Sequence, residues 1–140
     1  MRGVIFDAHA LLAWVRAEPE ADFVHDLLNK VQGGGRSGGV CIVNIGEVYY
    51  SLARKEGVGD AEEFLEMAQG LKWSLHDVSR GTVVAAARLK ARFPISYADA
   101  FALACAQEQG AALVSGDPEI LAAKHGIPIL WPGVGDTPKE

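Results

Sequence analysis

The chain has 140 residues, of which 49% are apolar and 22% are charged, so its length and composition fit one globular domain with a sizeable core. No apolar run approaches the roughly 18–20 residues that cross a bilayer, and the N-terminus lacks the apolar segment of a signal peptide. The formal net charge of −5 argues against broad, passive binding to a nucleic-acid backbone. It does not exclude a nuclease, because carboxylates that bind a divalent cation also count as negative in the sequence.

The first predicted elements are a short buried strand and two helices. Residues 3–6 are β-branched and aromatic, which favours a strand that ends at Asp7. Residues 10–15 and the segment after Pro19 show apolar side chains at helical spacing. The glycine-rich stretch 33–39 is predicted to be a flexible connection.

The middle of the chain repeats this alternation. Residues 40–43 are predicted to form the second buried strand, and Asn44 to begin a helix that ends near Lys55. Another helix is predicted over residues 60–69. Residues 73–78 are less apolar and indicate a strand nearer the edge of the sheet.

The last third adds three helices and two strands. Helices are predicted over residues 79–92 and 96–109, on either side of a break at Pro94. A strand at 111–115, a short helix at 118–125 and a strand at 127–131 follow.

Strands that alternate with helices, the central ones apolar throughout, indicate an α/β domain with a parallel sheet covered on both faces. We expect residues 1–132 to form a single domain and residues 133–140 to be a loose C-terminal tail. Two cysteines, Cys41 and Cys105, lie in apolar stretches without metal-binding spacing. They are predicted to be buried thiols, and a cytoplasmic protein is the simplest interpretation.

Three acids follow predicted strands: Asp7, Glu47 at the opening of the next helix, and Asp117. Because the carboxyl ends of parallel strands meet at one edge, these carboxylates should converge. Asp99 opens the helix at 96–109, which does not directly follow a strand, so its convergence does not follow from the pattern alone.

Each acid also has a purely structural interpretation. Asp7 could cap the following helix, and Asn44 to Glu47 and Ser96 to Asp99 fit capping boxes. Asp117 followed by Pro118 is a common helix opening.

Several carboxylates in one place repel one another, and a divalent cation removes that cost. Oxygen ligands without cysteine suit magnesium or manganese, which can lower the pKa of a bound water and stabilise charge on a phosphate. The acids therefore favour metal-assisted phosphodiester cleavage over acid–base chemistry.

The segments around these acids carry a family resemblance. They read VIFDAHALL from Val4, NIGE from Asn44, SYADAFALA from Ser96 and LVSGDPEI from Leu113. In this order and spacing they resemble the PIN-domain nucleases, most closely the VapC-type toxins of prokaryotic toxin–antitoxin pairs, over nearly the whole chain.

The resemblance implies a PIN-like three-layer α/β/α fold with a central, mostly parallel five-stranded sheet. It implies an Mg²⁺- or Mn²⁺-dependent ribonuclease, with water activated by the metal as the nucleophile. The implied catalytic and metal-binding residues are Asp7, Glu47, Asp99 and Asp117. It further implies an RNA substrate, a cognate antitoxin protein that blocks the site and a homodimer. No membrane partner is expected, because the chain has no apolar run long enough to cross a bilayer.

Three further residues have secondary expected roles. Ser115 matches a small hydroxyl residue of the family and is expected to orient a carboxylate or a metal-bound water. Glu119 either extends the acidic pocket or is an ordinary first-turn helix acid. His9 departs from the family, where many members have a small polar residue, and either touches the scissile phosphate or faces solvent beside the pocket.

Other functions remain open at this point. A phosphatase of the haloacid-dehalogenase type would also use an aspartate after the first strand, but it needs a second acid where this chain has His9. A receiver-like signalling domain would need a lysine after its last strands, which this chain does not have at the expected place. A non-catalytic PIN-fold module that binds RNA or protein is the main alternative, although all four acids are present.

Overall fold

The computed structural model describes residues 2–134, which form five strands and seven helices. The strands are β1 (Val4–Phe6), β2 (Gly38–Cys41), β3 (Ser74–His76), β4 (Ala112–Val114) and β5 (Ile129–Leu130). The helices are α1 (Ala8–Val15), α2 (Ala21–Gln32), α3 (Ile42–Lys55), α4 (Val58–Gly70), α5 (Arg80–Arg92), α6 (Tyr97–Glu108) and α7 (Pro118–Ala122).

The strands form one sheet in the order β3-β2-β1-β4-β5, and every neighbouring pair is parallel. In the centre, Ile5 of β1 lies opposite Gly39 of β2 on one side and Leu113 of β4 on the other. The predicted five-stranded sheet is confirmed, and it is entirely rather than mostly parallel. The less apolar strand β3 lies at an edge, as its composition indicated.

Two apolar clusters cover the two faces of the sheet. On one face, Phe6 and Val40 pack with the buried sides of α1, α2, α3 and α4. On the other, Ile5 and Leu113 pack with α5, α6 and α7. The predicted three-layer α/β/α architecture is therefore confirmed, and burial of these apolar side chains is its main source of stability.

The glycine-rich stretch was predicted wrongly in part, because Gly38 and Gly39 belong to β2. A Cβ at Gly38 would lie 2.6 Å from Cγ2 of Val31, and one at Gly39 would lie 2.4 Å from the carbonyl oxygen of Ser74. These glycines allow the helix α2 and the strand β3 to approach β2 closely. Only the turn before them connects elements, and Gly34 there has a φ of 80°.

The boundary between β2 and α3 also differs from the prediction. The strand ends at Cys41 and α3 begins at Ile42, so the β-branched pair Ile42 and Val43 is helical. Asn44 is therefore inside the first turn rather than at the cap. Glu47 lies in the second turn of α3 and does not open the helix.

At the C-terminal end, α7 ends at Ala122, three residues earlier than predicted. The side chain of His125 contacts the carbonyl oxygen of Ile120 through Nε2, at 3.2 Å, and Nδ1 accepts a hydrogen bond from the Ile127 amide. These contacts turn the chain towards β5. Most of the predicted loose tail, residues 135–140, lies outside the described residues.

Cys41 and Cys105 are both buried and free, as predicted. Within residues 2–134, no helix is both long and apolar enough to span a membrane.

Candidate metal centre

The direction in which the chain crosses the sheet changes between β1 and β4. From β1 the chain proceeds outwards through β2 to β3, and then returns to β4 on the other side of β1. In open parallel sheets such a change leaves a crevice beyond the carboxyl ends of the two strands, where ligands bind. Asp7 follows β1 there, and the loop Ser115–Asp117 follows β4.

Asp7 lies at the bottom of this crevice, with only 1% of its surface exposed. One carboxylate oxygen, Oδ1, caps α1 by accepting a hydrogen bond from the Ala10 amide at 2.8 Å. The other, Oδ2, is buried and has no well-formed hydrogen bond.

The buried position raises the pKa of Asp7 to about 8, and the charges of Asp99 and Asp117 add to the rise. The Ser115 hydroxyl and the Ala10 amide oppose it without cancelling it.

Asp99 reaches the same crevice because α6 packs against β1, β2 and β4. Alanines such as Ala100, Ala102 and Ala104 are fully buried and let the helix approach the sheet closely. The Ser96 hydroxyl caps α6 by accepting a hydrogen bond from the Asp99 amide, at 3.1 Å. Burial and then the charge of Asp117 raise the pKa of Asp99 to about 6.

Asp117 and Glu119 complete the acidic group from the β4–α7 side. One oxygen each from Asp99, Asp117 and Glu119 lies within 4.8 Å of the other two. Asp117 is half-buried and caps α7 through Oδ1, which accepts from the Glu119 amide at 2.9 Å. Glu119 is exposed and lies at the mouth of the group, so its first-turn position also places it beside the other two acids.

Glu47 approaches from α3 on the other side of the crevice. It is half-buried, and burial raises its pKa, with a smaller contribution from the charge of Asp117. The charge of Asp117 thus acts on Asp7, Asp99 and Glu47, and Asp99 also feels Glu47 and Glu119. Asp7 and Glu47 lie outside the set of three acids whose oxygens are within 4.8 Å of one another.

Sequence reasoning missed the part that Asn44 has in this group. Its side chain is fully buried, and Nδ2 donates hydrogen bonds to Oε1 of Glu47 and to the carbonyl oxygen of Ala98, each at 3.2 Å. The capping-box interpretation of Asn44 is wrong, because the residue lies inside α3. The available signal was an asparagine three residues before the predicted acid Glu47, a spacing that puts both side chains on one face of a helix.

Ser115 and His9 both contact the backbone of the β4–α7 loop. The Ser115 hydroxyl accepts a hydrogen bond from the Asp117 amide at 3.1 Å. His9 is half-buried, and its Nδ1 accepts from the Gly116 amide at 3.3 Å. His9 therefore contacts the protein backbone rather than simply facing solvent.

The chemistry of this group fits a divalent cation. Its ligand atoms are all carboxylate oxygens, which magnesium and manganese prefer. The buried Oδ2 of Asp7 has no well-formed hydrogen bond, and the raised pKa values of Asp7 and Asp99 mean that their ionised forms are disfavoured without a cation. A cation would supply the missing partner and hold these acids in their ionised form.

The chain matches a known protein family over most of its length. The family model described as PIN domain matches residues 4–126. A search of curated proteins finds no match.

Solved structures of similar fold include VapBC2 from Rickettsia felis bound to a DNA fragment from its promoter, with a TM-score of 0.73, 11% identity, and coverage of 91% of this chain and 96% of that one. VapC20 from Mycobacterium tuberculosis, described as a sarcin–ricin loop cleaving toxin, has a TM-score of 0.73 at 16% identity and coverage of 87% and 95%. DNA-bound VapBC from Salmonella typhimurium has a TM-score of 0.71 at 15% identity and coverage of 93% and 98%. At these identities the likeness shows the fold.

Proposed function

Because the chain belongs to the PIN domain family, we propose that it is a metal-dependent endoribonuclease and the toxin of a prokaryotic type II toxin–antitoxin pair. The observation that supports this most directly is the group of carboxylates at the β1–β4 crevice. Oxygens of Asp99, Asp117 and Glu119 lie within 4.8 Å of one another, and the charges of Asp99 and Asp117 act on the buried Asp7.

In this proposal Asp7, Asp99 and Asp117 hold Mg²⁺ or Mn²⁺, with Glu47 and Glu119 at the sides of the group. The cation, when bound, lowers the pKa of a water and stabilises negative charge on the scissile phosphate. Asp7 contributes the buried Oδ2, which has no other partner. Ser115 fixes the Asp117 backbone and stabilises the Asp7 carboxylate.

The RNA substrate must approach an acidic crevice, so contacts outside it have to offset repulsion. Tyr50 lies one turn after Glu47 and is 49% exposed, and the Arg54 guanidinium lies 5.2 Å from the centre of its ring. This pair offers a base-stacking face and a positive charge to a single strand. It supports RNA as the substrate of the proposed enzyme.

The partner in this proposal is an antitoxin protein, since several of the similar structures are toxin–antitoxin complexes. A cleft of about 460 Å³ between α1 and α4 offers it a surface. Its walls are apolar at Trp14, Phe64 and Met67, and its rim carries Asp60 and Glu63. An amphipathic segment with basic residues on its polar side complements that surface. A homodimer and a cytoplasmic location, where cellular RNA is present, belong to the same proposal.

The alternative is a PIN-fold module that binds RNA or protein without cleaving. It would have no need for a buried carboxylate oxygen without a partner, which destabilises the metal-free fold. The presence of the buried Asp7, which lowers the stability of the metal-free fold, therefore favours the enzyme.

A cleavage assay on total tRNA and rRNA with added Mg²⁺ or Mn²⁺ tests the proposal. Wild type should give discrete fragments that EDTA abolishes, and Asp99→Asn should give none. Asp26→Asn, an exposed aspartate of α2, is the matched control and should cleave like wild type. RNA that stays intact with wild type, while a known PIN nuclease cuts under the same conditions, would favour the binding module.

A further inference from the structure

The loop that carries Asp117 has few backbone contacts of its own. The Ser115 amide still pairs with β5, through the carbonyl oxygen of Leu130 at 3.4 Å. The next amide, that of Gly116, donates to Nδ1 of His9 in α1 at 3.3 Å. A side chain 107 positions away in sequence thus takes the backbone hydrogen bond beside Asp117.

The other side of Gly116 is covered by Trp131. A Cβ at position 116 would lie 2.2 Å from Nε1 of the Trp131 indole, so only glycine fits under this ring. The indole also contacts the His9 ring edge to face, with centres 5.2 Å apart, and Phe23 of α2 in the same way, with centres 5.9 Å apart.

His9 and Trp131 therefore hold the loop from two directions. His9 fixes the direction of the Gly116 amide, and Trp131 limits how far the loop can move outwards. The two rings also fix one another, because edge-to-face pairs have a preferred geometry. Asp117 follows Gly116 directly in the chain, so a shift of the Gly116 backbone displaces the backbone from which the Asp117 carboxylate extends. The Asp117 amide donates to the Ser115 hydroxyl, which is the other contact of this turn.

We propose that His9 and Trp131 form a clamp on Gly116 that positions Asp117 against Asp99 and Glu119 for metal binding. This inference rests on the proposed metal-dependent function. His9 and Trp131 are positioning residues, and neither is assigned a contact with the metal or with RNA. A group that orients a metal ligand commonly contributes about 10- to 100-fold to metal affinity.

The first test measures Mn²⁺ affinity at one fixed pH. Mn²⁺ is added to protein from which EDTA has removed bound metal, and the electron paramagnetic resonance signal reports the Mn²⁺ that stays free. His9→Ala removes the acceptor and the ring, and should weaken binding about 10-fold or more. His9→Asn places an amide oxygen near the position of Nδ1, and should recover most of the loss. Trp131→Leu should weaken binding while the Gly116 amide keeps its acceptor.

The chain contains a matched control for these variants. His25 also pairs with a tryptophan, since its Nδ1 accepts from Nε1 of Trp14 at 3.3 Å, but the pair lies on the outer side of α1 and α2. His25→Ala should leave Mn²⁺ affinity unchanged. Equal weakening by His25→Ala and His9→Ala would overturn the clamp, because the loss would then reflect general destabilisation.

The second test needs no metal. Hydrogen exchange of the Gly116 amide, followed by NMR in EDTA, should be slow in wild type, at least about tenfold faster in His9→Ala, and slow again in His9→Asn. Unchanged exchange in His9→Ala overturns the clamp. Wild-type protein that binds no Mn²⁺ overturns the proposed function instead, and the exchange rates still decide whether His9 holds the loop.

Discussion

The amide of Asn44 connects Glu47 to the helix that carries Asp99. Its Nδ2 donates to Oε1 of Glu47 within α3 and to the carbonyl oxygen of Ala98, the residue before Asp99. One buried side chain therefore sets the distance between two acids that come from different helices. Its own oxygen, Oδ1, is buried without a partner, which adds to the unsatisfied polar atoms of the site.

Asn44→Ala should destabilise the protein by about 1–3 kcal/mol, because the half-buried carbonyl oxygen of Ala98 and the Glu47 carboxylate both lose their donor. It should also weaken Mn²⁺ binding, since Glu47 is then free to turn away. Urea unfolding with and without Mn²⁺ measures both effects. Asn29→Ala, an exposed asparagine of α2, should change the free energy of unfolding by less than about 0.5 kcal/mol. If Asn44→Ala unfolded at the same urea concentration as Asn29→Ala, the connecting role would be wrong.

The metal-free protein should lose stability as the pH rises from about 4 to about 8. The pKa of Asp7 is raised from 3.8 to about 8 in the folded state, so the folded protein binds more protons than the unfolded chain across that range. The contribution of Asp7 to the free energy of unfolding is therefore greatest below pH 3.8, the pKa of Asp7 in the unfolded chain. It falls as the pH rises and is lost above about 8, the pKa in the folded state. The upper limit from Asp7 alone is about 6 kcal/mol, at about 1.4 kcal/mol for each pKa unit.

Asp7→Asn should remove much of this slope, because asparagine stays neutral and still caps α1. Urea unfolding in EDTA at a series of pH values is the measurement, and Asp26→Asn should keep the wild-type slope. A wild-type slope in Asp7→Asn would show that burial of this carboxyl does not control the pH dependence.

Added Mn²⁺ should raise the Tm of wild type, because an ion that binds only the folded state stabilises it by about 2.7 kcal/mol at 100 times its Kd. Asp99→Asn should lose most of this increase, since it removes a buried ligand. Glu119→Gln should lose less, because Glu119 is exposed at the mouth of the group. Thermal melts at several Mn²⁺ concentrations give the comparison. An equal increase in wild type and Asp99→Asn would place the ion elsewhere.

The convergence of Asp7 and Asp117 could be predicted because local sequence shows that each acid follows a strand, and the alternation of strands and helices indicates a parallel sheet. Each follows an apolar strand, and parallel strands present their carboxyl ends at one edge. Asp99 could not be derived in this way, since its place depends on how α6 packs under the sheet. Family resemblance, rather than pattern, predicted that it would join the others.

The parts that failed depend on contacts between distant segments. Ile42 and Val43 have strand propensity, but they form the first turn of α3, which buries Ile45, Val48 and Leu52 further along. The earlier start of the helix moved the roles of Asn44 and Glu47. Gly38 and Gly39 indicate a loop in the sequence, because the close contacts of α2 and β3 that require glycine there come from distant segments. His9 and Gly116 are 107 positions apart, and no sequence pattern indicates that they are in contact.

Ser115→Ala should raise the pKa of Asp7 further, because the Ser115 hydroxyl is the strongest contact that lowers it. The Asp117 amide also loses its acceptor. Since the cation binds the ionised form of Asp7, Mn²⁺ affinity should reach its plateau at a higher pH than in wild type. Titration of the ¹³C-labelled Asp7 carboxyl in EDTA and Mn²⁺ binding at several pH values measure these shifts. Ser51→Ala, which removes a hydroxyl bonded to Arg16, is the control and should match wild type. If the Asp7 titration in Ser115→Ala stays at its wild-type midpoint, the stabilising role of this hydroxyl is wrong.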